Sequence, residues 1–144
     1  MTKNRLCLAG AGISALGAAG AVAAGLLKGA CTGMIETAAG GAVPMKCHWS
    51  VRVCVLLGIF LLAISVTQFF IKTRESRLIT AGMGLLLSAG LALTLSGLVI
   101  GVCGKEDMIC RSTAALIRAC AGLAAAGQLL GLSGAGADKP SKRF

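Results

Sequence analysis

Residues 53–71 read VCVLLGIFLLAISVTQFFI, nineteen residues without a charge, closed by Arg52 on one side and Lys72 on the other. At about 1.5 Å of rise per residue a helix over this run covers roughly 28 Å, close to the thickness of a bilayer's hydrocarbon core. In lipid the backbone has no water to bond, which favours a helix over irregular chain. The run therefore predicts a transmembrane helix.

Three further runs flank it: residues 6–27 between Arg5 and Lys28, residues 78–104 between Arg77 and Lys105, and residues 112–137, interrupted by Arg118. The expected spans are about 6–27, 53–71, 78–103 and 112–133, with a polar tail over about 134–144 expected to be disordered. The predicted fold class is all-α: a four-transmembrane-helix bundle in one integral membrane domain, residues 1–144.

Composition agrees. Charged residues make up 13% of the chain, mean hydropathy is +0.87, and a soluble domain carries about 25% charged residues. Net charge is +9, with the basic residues in short clusters beside the apolar runs. That pattern points to topology signals and anionic lipid headgroups. No nucleic-acid partner is expected, because Tyr is absent and aromatics total 3%, too few for a base-stacking platform.

Orientation follows from Lys and Arg in the short loops. Lys3, Arg5, Lys72, Arg74, Arg77, Lys139, Lys142 and Arg143 fall on one side; Lys28, Lys46, Arg52, Lys105 and Arg111 fall on the other. The bias of eight over five predicts both termini in the cytoplasm and the short loops 28–52 and 103–111 facing outward from the inner (plasma) membrane. The first run is longer than a signal-peptide core of about 7–15 residues. Lipoprotein cleavage before Cys31 is opposed by Lys28, which stands where an apolar residue belongs.

The first run is rich in small residues. Gly17, Ala21 and Gly25 recur every four residues, as do Gly10, Ser14 and Ala18, a spacing that lets helices approach closely. The fourth run shares this character, so the bundle is expected to centre on the first and fourth spans. Docking of another membrane protein, or self-association, through these Gly/Ala faces is the alternative. The bulky second run suits a lipid-facing position.

Split near residue 75, the chain reads twice as span, outward loop, span. The first loop holds Cys31, then Met45, Lys46, Cys47 and His48; the second holds Cys103, then Met108, Ile109, Cys110 and Arg111. The recurrence suggests duplication of a helical hairpin. Three chemistries fit the sulfurs. Disulfides among Cys31, Cys47, Cys103 and Cys110 suit an oxidising compartment, Cys31–Cys47 and Cys103–Cys110 being the simplest pairing. A soft-metal site for copper or zinc would draw on Met45, Cys47, His48, Met108 and Cys110. Thiol–disulfide exchange linked to a quinone would need an accessible thiolate beside a positive group, although no C-x-x-C is present. Cys7, Cys54 and Cys120 fall inside spans and read as packing residues. Trp49 has the place of an interfacial anchor.

Arg118 lies within the fourth run, where an Arg at mid-helix costs about 2.5–3.5 kcal/mol on insertion scales. Arg111 and Arg118 are a heptad apart and share a helix face; both are candidates for contact with an anion or a lipid phosphate.

At Met45-Lys46-Cys47-His48 and at Gly101-Val102-Cys103 with Met108 and Cys110 the chain resembles a family of small bacterial four-span membrane proteins of unknown function. Ser50-Val51-Arg52 and Arg111 depart from that family's pattern, which has Thr-Ala-Gln and His there. The resemblance implies no activity; association with a transporter would imply an accessory role. No nucleophile–base pair, carboxylate dyad or phosphate loop is visible, so an enzyme is not expected and no resident cofactor is required. The expectation is an accessory or interaction protein with a disulfide-stabilised outward loop pair. The alternatives are a quinone-linked thiol–disulfide oxidoreductase and a copper- or zinc-binding membrane protein.

Overall fold

Each apolar run becomes a helix. The computed structural model describes residues 2–29, 33–96, 99 and 109–136. Within them lie helices α1 (Thr2–Leu27), α2 (Lys46–Phe70), α3 (Arg74–Thr94) and α4 (Ile109–Gly136), and a two-stranded hairpin of β1 (Met34–Glu36) and β2 (Ala42–Pro44) between α1 and α2. The helices have 26, 25, 21 and 28 residues, which at 1.5 Å per residue is roughly 31–42 Å, enough to cross a hydrocarbon core of about 30 Å. All four are apolar enough to do so. The chain is a multi-pass membrane protein built as an all-α four-helix bundle.

The helices form a ring in chain order. α1 packs on α2 and α4, α3 packs on α2 and α4, and α2 barely touches α4. α1 and α4 run antiparallel: Gly10 faces Gly127 and Gly131, and Gly17 faces Cys120 and Ala124. One end of the bundle therefore gathers the hairpin, the end of α1, the start of α2, the end of α3 and the start of α4. This is the hairpin end; the opposite, terminal end gathers the start of α1, the short connection at residues 71–73 and the end of α4.

The closest approach is between α1 and α4. A methyl group on Gly17 would lie 2.7 Å from the Cys120 carbonyl oxygen, and one on Gly127 would lie 2.6 Å from the Gly10 carbonyl oxygen. Without a hydrophobic drive in lipid, such backbone proximity supplies the packing. The two expected rows of small residues are divided differently. Gly10 and Gly17 face α4, whereas a methyl on Gly25 would meet Val55 of α2 at 2.5 Å. Ala18 lies between them, buried with Leu61 of α2 and Ala124 of α4. The α1 surface is thus used twice within the chain, on two neighbours. α2 turns Leu56, Ile59, Phe60, Val66, Phe69 and Phe70 outward, as its bulk suggests.

A hydrogen-bonded polar chain crosses the interior toward the terminal end. The Ser65 hydroxyl donates to the Leu61 carbonyl at 2.8 Å, so Ser14 donates to Ser65, also at 2.8 Å. Gln128 donates its amide to Ser14 Oγ at 2.6 Å, and Gln68 donates to Gln128 Oε1 at 2.7 Å. Gly84 of α3 makes room, since a methyl there would lie 2.6 Å from the Gln128 amide. Ser14, Ser65 and Gln128 are fully buried, and no buried polar side-chain atom among the described residues lacks a partner, as an interior in lipid demands.

Two helix bounds depart furthest from the uncharged runs. α2 begins at Lys46, seven residues ahead of its run, because polar residues at headgroup depth do not interrupt a helix. α3 ends at Thr94 although the apolar run continues to residue 104. There the Ser96 amide turns back to the Leu93 carbonyl at 2.9 Å and its hydroxyl bonds the same oxygen at 2.6 Å. The hairpin was not expected. Its turn closes with the Thr37 amide on the Gly41 carbonyl at 2.8 Å and the Thr37 hydroxyl on the same oxygen at 2.7 Å, with Gly40 at φ +80°, a conformation glycine takes at little cost. Ile35 pairs with Val43.

Candidate functional site

The sulfur-bearing motifs open helices. Pro44 ends β2, Met45 follows as an extended N-cap residue (φ −59°, ψ 153°), and Lys46, Cys47, His48 and Trp49 form the first turn of α2. The expected outward loop therefore stops at Met45, whose amide donates to the Gly33 carbonyl at 3.3 Å. Its side chain lies over Gly33, where a methyl would meet Met45 Cε at 2.8 Å. That contact ties the hairpin base to the helix start. In the second motif Ile109 and Cys110 open α4, and the Thr113 hydroxyl donates to the Ile109 carbonyl at 3.0 Å. Both Met-x-Cys patterns thus place a cysteine at the second residue of a helix, at the same end of the bundle.

Cys47 and Cys110 are 0% and 1% exposed. Neither is joined by a disulfide to another described cysteine. Cys31 and Cys103, their simplest expected partners, and Met108 lie outside the described residues, so the disulfide expectation finds no support here. Among the described residues no three of His, Cys, Asp and Glu are grouped so as to hold a metal ion. Cys47 and His48 lie in the first turn of α2 with Met45 at its N-cap, and the His48 and Trp49 rings meet edge to face, centroids 6.0 Å apart at 88°. Trp49 is exposed just ahead of the uncharged run, the position of an interfacial ring.

Arg111 is exposed in the first turn of α4. Arg118 has a structural partner: its Nη2 donates to the Leu95 carbonyl, just past the end of α3. Leu95 is fully buried. The last four carbonyls of a helix lack intrahelical donors, and a cation there also opposes the negative end of the helix dipole. Arg118 is a C-terminal cap supplied across the bundle.

Of the span cysteines, Cys54 is buried and bonds Thr94 Oγ1 at 3.3 Å, linking α2 to α3. The Thr94 hydroxyl itself donates to the Leu91 carbonyl at 2.9 Å, so the thiol donates to Thr94. Cys7 donates weakly to the Gly131 carbonyl at 3.7 Å. These are packing positions, as expected for cysteines in apolar spans. Sequence reasoning missed the polar chain of Ser14, Ser65, Gln68 and Gln128. The signal was present, in hydroxyl and amide residues inside runs otherwise free of strong polar groups.

No curated protein and no solved structure matches this chain. The match is to a family model. Residues 13–133, from the middle of α1 almost to the end of α4, match the model of a domain of unknown function, and the chain belongs to that family, DUF4418.

Proposed function

We propose that this protein is an accessory or interaction protein of the bacterial inner membrane, seated beside a partner membrane protein such as a transporter component. Both termini lie in the cytoplasm and the hairpin end faces outward, an orientation supported by the eight-to-five distribution of basic residues. The observation that carries the reading is the surface of the hairpin. It connects α1 to α2 and leaves Met34, Ile35 and Val43 exposed by 67%, 53% and 47%. Apolar residues of both strands stay uncovered, next to two buried cysteine-bearing helix starts. The rival thiol-exchange reading needs an accessible sulfur, whereas Cys47 and Cys110 are buried.

Two measurements test the proposal. Reporters inserted between Ala38 and Ala39 and at Thr73 should report opposite faces of the membrane, with Thr73 cytoplasmic; the reverse would overturn the orientation. A photoreactive residue in place of Ile35, in intact membranes, should give an adduct of defined mass with a second membrane protein, and Val43→Lys should abolish it. Absence of any protein adduct from positions 35 and 43 would refute the interaction reading.

A further inference from the structure

A groove at the hairpin end is untouched by that reading. Gly25, Leu26 and Gly29 of the α1 end form one wall and His48, Val51, Arg52 and Val55 of α2 form the other, around a volume of ≈ 270 Å³. Two glycines shape it. At Gly25 a methyl would stand 2.5 Å from Val55 Cγ2, so the helices close against each other there. At Gly29 the chain leaves the helix with φ +65°, and no atom of the described residues lies within 4 Å of an added methyl. The walls are apolar, while His48 and Arg52 stand one helical turn apart on the same face of α2. Arg52 is exposed and makes no hydrogen bond or ion pair among the described residues. It is also the last charge before the uncharged run 53–71, which sets it at the boundary between hydrocarbon and headgroups. Lys28 and Lys46 add positive charge nearby, and Glu36 is the only carboxylate side chain at this end among the described residues.

We propose that this groove binds one anionic phospholipid, its phosphate held by Arg52 with His48 and the start of its acyl chain lying along Gly25, Val51 and Val55. A guanidinium matches phosphate oxygens in geometry as well as charge. The volume is close to the lower limit of about 300 Å³ for ligand pockets, which suits a headgroup and its first methylenes while the chains continue into the bilayer. The apolar walls separate this site from one for a free anion.

Trp49, the chain's single Trp, is the probe, because its ring touches His48 at the groove. The full chain is reconstituted in phosphatidylcholine vesicles doped with equal small amounts of brominated phosphatidylglycerol or brominated phosphatidylcholine. The expected result is about fivefold stronger local enrichment of the anionic quencher, the size expected for one well-placed cation. Arg52→Gln should bring it down to the phosphatidylcholine level, whereas Lys28→Gln and Lys46→Gln should keep most of it. Equal quenching by the two lipids in the unaltered protein would overturn the proposal, and so would a loss in Lys28→Gln as large as in Arg52→Gln, which marks a diffuse basic surface. Displacement of the anionic lipid by inorganic phosphate, at matched ionic strength, would also overturn it.

Discussion

The contact between α1 and α4 admits a test in which one methyl group separates packing from helix propensity. In Gly127→Ala the new methyl would stand 2.6 Å from the Gly10 carbonyl oxygen and from the Ser14 amide nitrogen, and 3.1 Å from Ser14 Cα. These are backbone atoms of a facing helix, so no rotamer change relieves them. Restoring ordinary contact requires α1 and α4 to part by about 0.8 Å, a gap that forfeits a quarter to a half of each nearby dispersion contact. Overpacking of this kind costs about 1–3 kcal/mol. Exchanging Gly for Ala inside a helix returns up to about 1 kcal/mol, leaving a net destabilisation of up to about 2 kcal/mol and a deficit of about 1–3 kcal/mol against a Gly→Ala exchange that meets no neighbour. Gly131 is the control. It lies one turn further along α4, and a methyl there meets no atom of the described residues within 4 Å, so Gly131→Ala should be neutral or stabilising by up to about 1 kcal/mol. The assay is reversible unfolding in mixed micelles titrated with dodecyl sulfate, followed by helical circular dichroism. If Gly127→Ala proves as stable as Gly131→Ala, close backbone approach does not hold this bundle together, and the argument from its glycines is wrong.

Two further outcomes follow from the interior. A double-mutant cycle of Gln68→Ala and Gln128→Ala should give a coupling of about 0.6 kcal/mol, and no more than about 1.7, as for hydrogen bonds between helices in lipid; zero coupling in the same micelle titration would mean that the 2.7 Å amide bond contributes nothing. Arg118→Met should speed amide hydrogen exchange in the last turn of α3 and leave its first two turns unchanged, because the lost donor acts only on the Leu95 carbonyl. Acceleration along the whole of α3, or none, would remove Arg118 from the capping role.

The architecture was legible because charge punctuates the chain. Arg52, Lys72, Arg77 and Lys105 bound runs whose length alone implies a crossing, and each run forms a helix over most of its described residues. What charge could not convey is where a helix starts outside the hydrocarbon. Arg52 ends an uncharged run, yet Lys46, His48 and Arg52 all sit on α2, since headgroup depth tolerates charge and helix alike. For that reason Cys47 and Cys110 looked like loop residues and are buried helix-start residues instead. The hairpin escaped notice because its strands have three residues each and their side chains are mostly exposed, so no alternation of burial is imprinted on them; the Gly40-Gly41 pair between Ile35 and Val43 was its one local mark. The rows in α1 were read at a strict spacing of four, which suits one partner helix. With two partners the face divides, Gly10 and Gly17 toward α4 and Gly25 toward α2. No feature of the sequence could have announced the groove, since its walls come from residues 19 to 30 positions apart.

Two oddities of the sequence explain each other once placed in the bundle. α3 has 21 residues and stops at Thr94 while the chain stays apolar for ten residues more. A helix that ends inside an apolar zone strands its last carbonyls where water cannot reach them, at a cost of several kcal/mol for each group left unsatisfied. The fourth run, meanwhile, contains an Arg that insertion scales would charge about 2.5–3.5 kcal/mol at mid-helix. The ring order sets α4 beside α3, antiparallel to it, so a residue nine positions into α4 comes level with the end of its neighbour. Arg118 then donates to the Leu95 carbonyl, and one contact offsets both penalties. This accounts for the interruption of an otherwise uncharged run without invoking a ligand at Arg118. Arg52, at the rim of the groove, makes no such contact among the described residues, and its guanidinium is the group proposed to meet an anionic lipid.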